Sequence, residues 1–157
     1  MKKRFLAGLC LLMLAAYVFA DMSREELQQM YVAYFRSQNI PAHIDSDGDI
    51  EFRYEGEYFN AMTFWIIVDE ADQQYFQIVK PSLYSLDTEA EIFLAPIAAS
   101  AATRRANVAK IYLSSSGDNV IASVGTFLAN PGDFRAIFPK LMREMDIAMA
   151  EFLNRMR

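Results

Sequence analysis

The sequence predicts an α+β domain of order helix, three strands, helix, two strands, helix (α-β-β-β-α-β-β-α), with three helices packed on an antiparallel five-stranded sheet. Three observations predict it. Two capping boxes open helical segments, period-two apolar alternation with tight turn dipeptides marks the strands, and a three-four apolar stripe closes the chain.

Ser23-Arg24-Glu25-Glu26 is the first capping box, and Leu27, Met30, Tyr31, Tyr34 and Phe35 follow at the spacing of one buried helix face. Pro41 ends that helix by disfavouring helical backbone in the residue before it. From Ala42 the period becomes two, with Ile50, Phe52 and Tyr54 on one side and Asp49, Glu51 and Arg53 on the other, flanked by the turn dipeptides Asp47-Gly48 and Glu55-Gly56. Residues 58–68 and 75–79 read as the next two strands, joined by the turn 69–72; links this short make the three strands antiparallel neighbours.

Thr88-Glu89-Ala90-Glu91 is the second capping box and opens an alanine-rich helix to about Arg105. Pro96 either kinks it or marks its proper start near Ala95. Residues 108–114 and 120–128 form a hairpin across Gly117-Asp118-Asn119, and Asn130-Pro131-Gly132-Asp133 then starts the last helix. Phe134, Phe138, Leu141, Met145, Ala148 and Phe152 are its buried stripe, and Pro139 is a second candidate break.

Ahead of this domain, Lys2, Lys3 and Arg4 precede an apolar run from Phe5 and a small-residue site at Val18-Phe19-Ala20, the pattern of a signal peptide cleaved before Asp21. The run is shorter than the ~20 residues that span a bilayer, so no membrane insertion is expected after cleavage. Leu9 before Cys10 argues against a lipoprotein, and the expected location is a periplasm or the medium. Removing residues 1–20 leaves twelve Lys and Arg against twenty Asp and Glu, a net charge of −8, without a cysteine. Nucleic acid is a poor partner for such a surface, and disulfides are unavailable to it. The remaining 137 residues suffice for one core and one domain, 21–157.

The stretches Asp45-Ser46-Asp47-Gly48-Asp49-Ile50-Glu51-Phe52, Asn107-Val108-Ala109-Lys110-Ile111-Tyr112-Leu113 with Gly117-Asp118, and the ending Glu151-Phe152-Leu153 resemble the YbjN-type family. Members of that family are labelled bacterial sensory-transduction regulators, and their domain shares its architecture with type III secretion chaperones. The asparagines its members tend to carry in the second helix are replaced here by Ala98-Ala99-Ser100-Ala101-Ala102. The resemblance implies a non-catalytic, protein-binding or regulatory module.

Asp45, Asp47, Asp49 and Glu51 invite a calcium site, but counting from Asp45 puts Gly48 fourth and Gly56 twelfth, which is not EF-hand spacing, so a hairpin turn is preferred. His43 is the sole histidine, which excludes the usual zinc sites once Cys10 is removed. A hydrolase could draw on Ser114, Ser115 or Ser116 with His43, or on clustered carboxylates, yet no Gly-x-Ser-x-Gly elbow is present. No metal or cofactor is therefore expected, and a small carboxylate hydrolase is the alternative to the binding module.

The strand at 58–68 is apolar on both faces, and alternation puts Phe59 and Trp65 opposite the core side. If the helices cover one side only, Phe59, Trp65 and Tyr75 form an exposed patch for a protein partner of unknown identity or for a homodimer.

Overall fold

A computed structural model describes residues 22–69 and 71–157, so the predicted signal peptide lies outside the described residues. Helix α1 (Arg24–Ser37) is followed by strands β1 (Ala42–Ile44), β2 (Ile50–Tyr54), β3 (Met62–Ile67) and β4 (Tyr75–Ser85). Helix α2 (Glu89–Arg105), strands β5 (Ala109–Leu113) and β6 (Asn119–Phe127), a 3-10 turn at Pro131–Asp133 and helix α3 (Phe134–Arg155) complete the chain. The sheet order is β1-β2-β3-β4-β6-β5, with every neighbouring pair antiparallel.

Both capping boxes form. The Glu26 N–H donates to Ser23 Oγ at 3.2 Å while Glu26 Oε2 accepts from the Ser23 N–H at 2.8 Å, and Thr88 with Glu91 repeats the arrangement at α2. Asn39, with φ of 56°, lets α1 turn sharply into β1, because asparagine tolerates the left-handed region better than most residues.

The sheet has six strands where five are predicted. The extra one is β1, three residues long, too short to carry a period-two signal of its own after Pro41. It is held by a tight hairpin in which Asp45 Oδ1 accepts from the N–H groups of Asp47 and Asp49, each at 3.0 Å, and Gly48 takes φ of 86°. Side-chain oxygens that bond backbone two residues on are what favour aspartate in such turns.

Two further boundaries shift. Strand β3 begins at Met62, because residues 55–61 bend away, and β4 runs on past Pro81 to Ser85. The proline is tolerated there because β3 stops pairing with β4 at Val79 and the β4–β6 register slips between Lys80 and Tyr84, so no ladder bond is lost. Neither Pro96 nor Pro139 ends its helix. Both are exposed, where the carbonyls of Ile92 and Arg135 that lose their partners can reach water.

The core lies between one face of the sheet and the three helices. Phe35 stacks on Phe52 at 4.6 Å between ring centres, Phe138 meets Phe35 edge-on at 5.1 Å, and Tyr31 meets Phe134 at 4.7 Å. Helix α2 contributes Ala95, Ala98, Ala99 and Ala102 to this core, small side chains that let it lie close to α3 and β5.

Candidate protein-binding surface

Because side chains alternate along each strand, burying Ile50, Phe52, Phe64, Ile66, Phe76, Ile78, Val120, Ala122, Val124 and Ile111 beneath the helices sends their neighbours to the opposite face. Register makes that opposite face continuous. His43 pairs with Glu51, Glu51 with Trp65, Trp65 with Val79, Val79 with Ser123, and Ser123 with Lys110, a single row across all six strands. Beside it run Ile67, Gln77 and Gly125, and then Tyr75 paired with Phe127. No helix covers this face among the described residues.

Of the three residues read from sequence as the patch, Trp65 and Tyr75 lie here, both partly exposed. The Trp65 indole N–H donates to Asp45 Oδ2 at 3.1 Å, which fixes the ring over the β1–β2 hairpin. Tyr75 packs on Phe127 with ring centres 5.1 Å apart, and Phe127 is 71% exposed. Phe59 does not share the face. It is 8% exposed and packs on Phe64 at 5.5 Å, inside the core.

The cause of that correction is Asp146 on α3, whose carboxylate accepts from the Glu57 N–H at 2.7 Å and from the Tyr58 N–H at 3.2 Å. This clamp bends residues 55–61 out of strand geometry, so the alternation that would have placed Phe59 with Trp65 is broken before β3 starts. Gly56 makes the close approach feasible, since a Cβ there would sit 2.7 Å from Asp146 Oδ1 and 2.5 Å from a Phe59 ring carbon.

Phe127, Tyr112 and Val108 belong to the exposed apolar set although no sequence argument singled them out. The signal was available, because counting by two along β6 and β5 separates Phe127 and Tyr112 from the core residues. A second apolar surface lies on α2, where Ile92, Phe93, Leu94 and Ile97 are exposed and Phe93 reaches 77%. An alanine-rich helix that buries only its alanines leaves its large residues outside, the reverse of ordinary amphipathic packing.

The serine–histidine arrangement weighed from sequence is not assembled. His43 is on β1 at one edge of the sheet, whereas Ser114 and Ser116 sit in the β5–β6 turn at the other, hydrogen-bonded to Asp118. Those bonds hold the Asp118 carboxyl below the usual carboxylate range, the Ser116 hydroxyl contributing most. Asp45 and Asp49 are engaged as acceptors, Asp49 Oδ1 taking the Val68 N–H at 2.9 Å. Burial pushes the Asp49 carboxyl up, partly offset by that hydrogen bond. Glu55 and Glu57, both exposed to solvent, border a cleft of about 380 Å³ near Tyr58 and Leu153. Among the described residues, no group of three or more His, Cys, Asp or Glu side chains could hold a metal ion, and no helix is long and apolar enough to cross a membrane.

No protein-family model matches the sequence, and no curated protein matches it. Among solved structures, YbjN from E. coli superposes with a TM-score of 0.53 at 9% identity, covering 78% of this chain and 88% of that one. The fold is YbjN-type. At that identity the likeness speaks to architecture alone. The E. coli protein is described as a candidate transcription regulator.

Proposed function

We propose that the chain is an exported, non-catalytic protein-binding or regulatory module that works in a periplasm or the medium, presenting the open sheet face to a protein partner. The observation that supports it most is the uncovered sheet face that carries Trp65, Val79, Tyr75 and Phe127 on an otherwise well-packed domain. Such a surface, apolar at its centre and edged by Glu51, Arg53 and Lys110, has the composition of a recognition patch. Acidic residues of the β1–β2 hairpin would orient the partner more than hold it. A regulatory role for a YbjN-type fold fits this reading through protein contacts, because the net charge of −8 after residue 20 repels a phosphate backbone.

A second reading, self-association, is favoured by Phe93 and its neighbours Ile92 and Ile97 on α2. The two are separable by one experiment. Affinity capture from the native envelope is run with the wild type, Trp65→Lys and Phe93→Lys, with solution mass by light scattering and folding checked by circular dichroism. Lysine is chosen at position 65 because an acid would face Asp45. A partner lost with Trp65→Lys alone supports the sheet face, and a dimer lost with Phe93→Lys alone supports self-association. A monomer that captures the same proteins in all three forms refutes both.

A further inference from the structure

At the β4–β6–β5 end of the open face lies a pocket of about 290 Å³ lined by Tyr75, Gln77, Val108, Lys110, Tyr112, Ser123 and Gly125. Its lining is rich in polar side chains. Ser123 is 6% exposed, yet among the described residues its hydroxyl has no hydrogen-bond partner, and the same holds for the side chains of Gln77, Lys110 and Tyr112. The Ser123 oxygen is not among the atoms closed off from solvent, so the hydroxyl opens into the concavity with its bonding capacity free for a group that enters it. Gly125 shapes the wall, since a Cβ there would lie 2.6 Å from the Tyr75 hydroxyl; only glycine lets that ring lie across β6.

The chemistry of the lining is selective. In a chain of net charge −5, no Asp or Glu contributes to this pocket, and its one charged group is the Lys110 ammonium. The Lys110, Gln77 and Ser123 side chains and the tyrosine hydroxyls can all donate, while Tyr75, Tyr112 and Val108 supply apolar walls. From this we infer that the pocket binds a carboxylate attached to a small planar or apolar body, the anion against Lys110 and Ser123 and the body between the two tyrosines. The volume admits a ligand on the order of ten to fifteen non-hydrogen atoms. Such a group can come from a free aromatic acid or from the C-terminus of a peptide ending in an aromatic residue. The pocket shares a face with the proposed partner surface but does not depend on it.

The test is a titration of ¹⁵N-labelled protein, expressed from its full coding sequence, with phenylacetate, with N-acetylphenylalanine and with N-acetylphenylalanine amide as the uncharged control. Expected are saturable amide shifts at Ser123, Gly125 and Lys110 for an acid, with millimolar affinity typical of so small a ligand. Lys110→Gln, a substitution at an exposed residue, weakens binding about tenfold by removing the charge-assisted bond, and Ser123→Ala weakens it less. Phenylacetate binding more tightly than N-acetylphenylalanine identifies a free acid, and the reverse order identifies a peptide C-terminus. Equal shifts with the amide control, shifts that Lys110→Gln leaves unchanged, or no shift at 20-fold above ~1 mM overturn the inference. Because Trp65→Lys capture reads the partner surface separately, either result stands without the other.

Discussion

Replacing Asp146 with alanine removes the acceptor of two backbone N–H groups, those of Glu57 and Tyr58, across a sequence separation of 88 to 89 residues. Asp146 is 4% exposed, so its carboxylate is held by these contacts and not by water. Hydrogen bonds to a charged group are each worth about 1.5–3 kcal/mol, and because Glu57 and Tyr58 are exposed enough to rehydrate, the lower part of that range applies, about 3 kcal/mol in total. Spread over an unfolding entropy near 2.1 cal/mol/K per residue, that loss lowers the melting temperature by about 10 °C. The assay is thermal and urea unfolding by far-ultraviolet circular dichroism, with amide exchange at residues 57 and 58 as the local readout. Gly56→Ala attacks the same clamp from the other side, forcing a Cβ against Phe59 and Asp146. The double variant is therefore expected to lose less than the two single losses together, because removing the carboxylate relieves part of the clash. A melting shift under about 3 °C, with unchanged exchange at Glu57 and Tyr58 and strict additivity, would refute the clamp and with it the explanation for the burial of Phe59.

Thr103 on α2 closes the outer edge of β5: its hydroxyl accepts from the Ile111 N–H at 3.0 Å and donates to the Ile111 carbonyl at 3.3 Å. Thr103→Val should cost about 2 kcal/mol and leave a bare strand edge, detected as a lower urea midpoint and a rising scattering mass; coincident midpoints and an unchanged mass would count against it. Two carboxylates should show opposite pH behaviour. Asp49 has a raised folded pKa, so its favourable contribution is present below the unfolded value of about 3.9 and is lost as pH rises through the folded one. Asp49→Asn, which keeps an acceptor for Val68, should match the wild type near pH 3 and exceed it in stability at pH 7. Glu144 is held below the usual range, first by the Asn107 N–H and then by its side-chain amide. Its contribution is present above about pH 4.3 and lost as pH falls through the depressed value, so Glu144→Gln should cost stability at pH 7 and little in strong acid. Urea titrations at the two pH values that gave both variants the same sign would reject this assignment.

Elements whose information is local were legible in the sequence. Both capping boxes form as spaced, the α3 stripe from Phe134 to Phe152 is buried, and the strand faces of β2 follow their alternation. What escaped depends on contacts distant in sequence. The bend that buries Phe59 is set by Asp146, and β1 exists because β2 is there to pair with it. Strand β4 extends beyond Pro81 because β3 has ended, which nothing in residues 75–85 records. At the candidate surface, Trp65 and Tyr75 were within reach of a count by two, and Phe127 and Tyr112 were equally so. The unpaired hydroxyl of Ser123 was not, because whether a serine has a partner is decided by its neighbours on other strands.

The indole of Trp65 has one more consequence. It is the only tryptophan in the chain, it stands partly exposed on the open face, and its N–H is tethered to Asp45 of the adjacent hairpin. Ultraviolet emission from this protein therefore comes from a chromophore stationed on the surface at issue. Anything that seats itself there changes the ring's solvent shell and shifts its colour, so the unlabelled molecule reports its own occupancy. Loss of the Asp45 tether alone would produce a different, smaller signature, distinguishing a loosened hairpin from a docked partner.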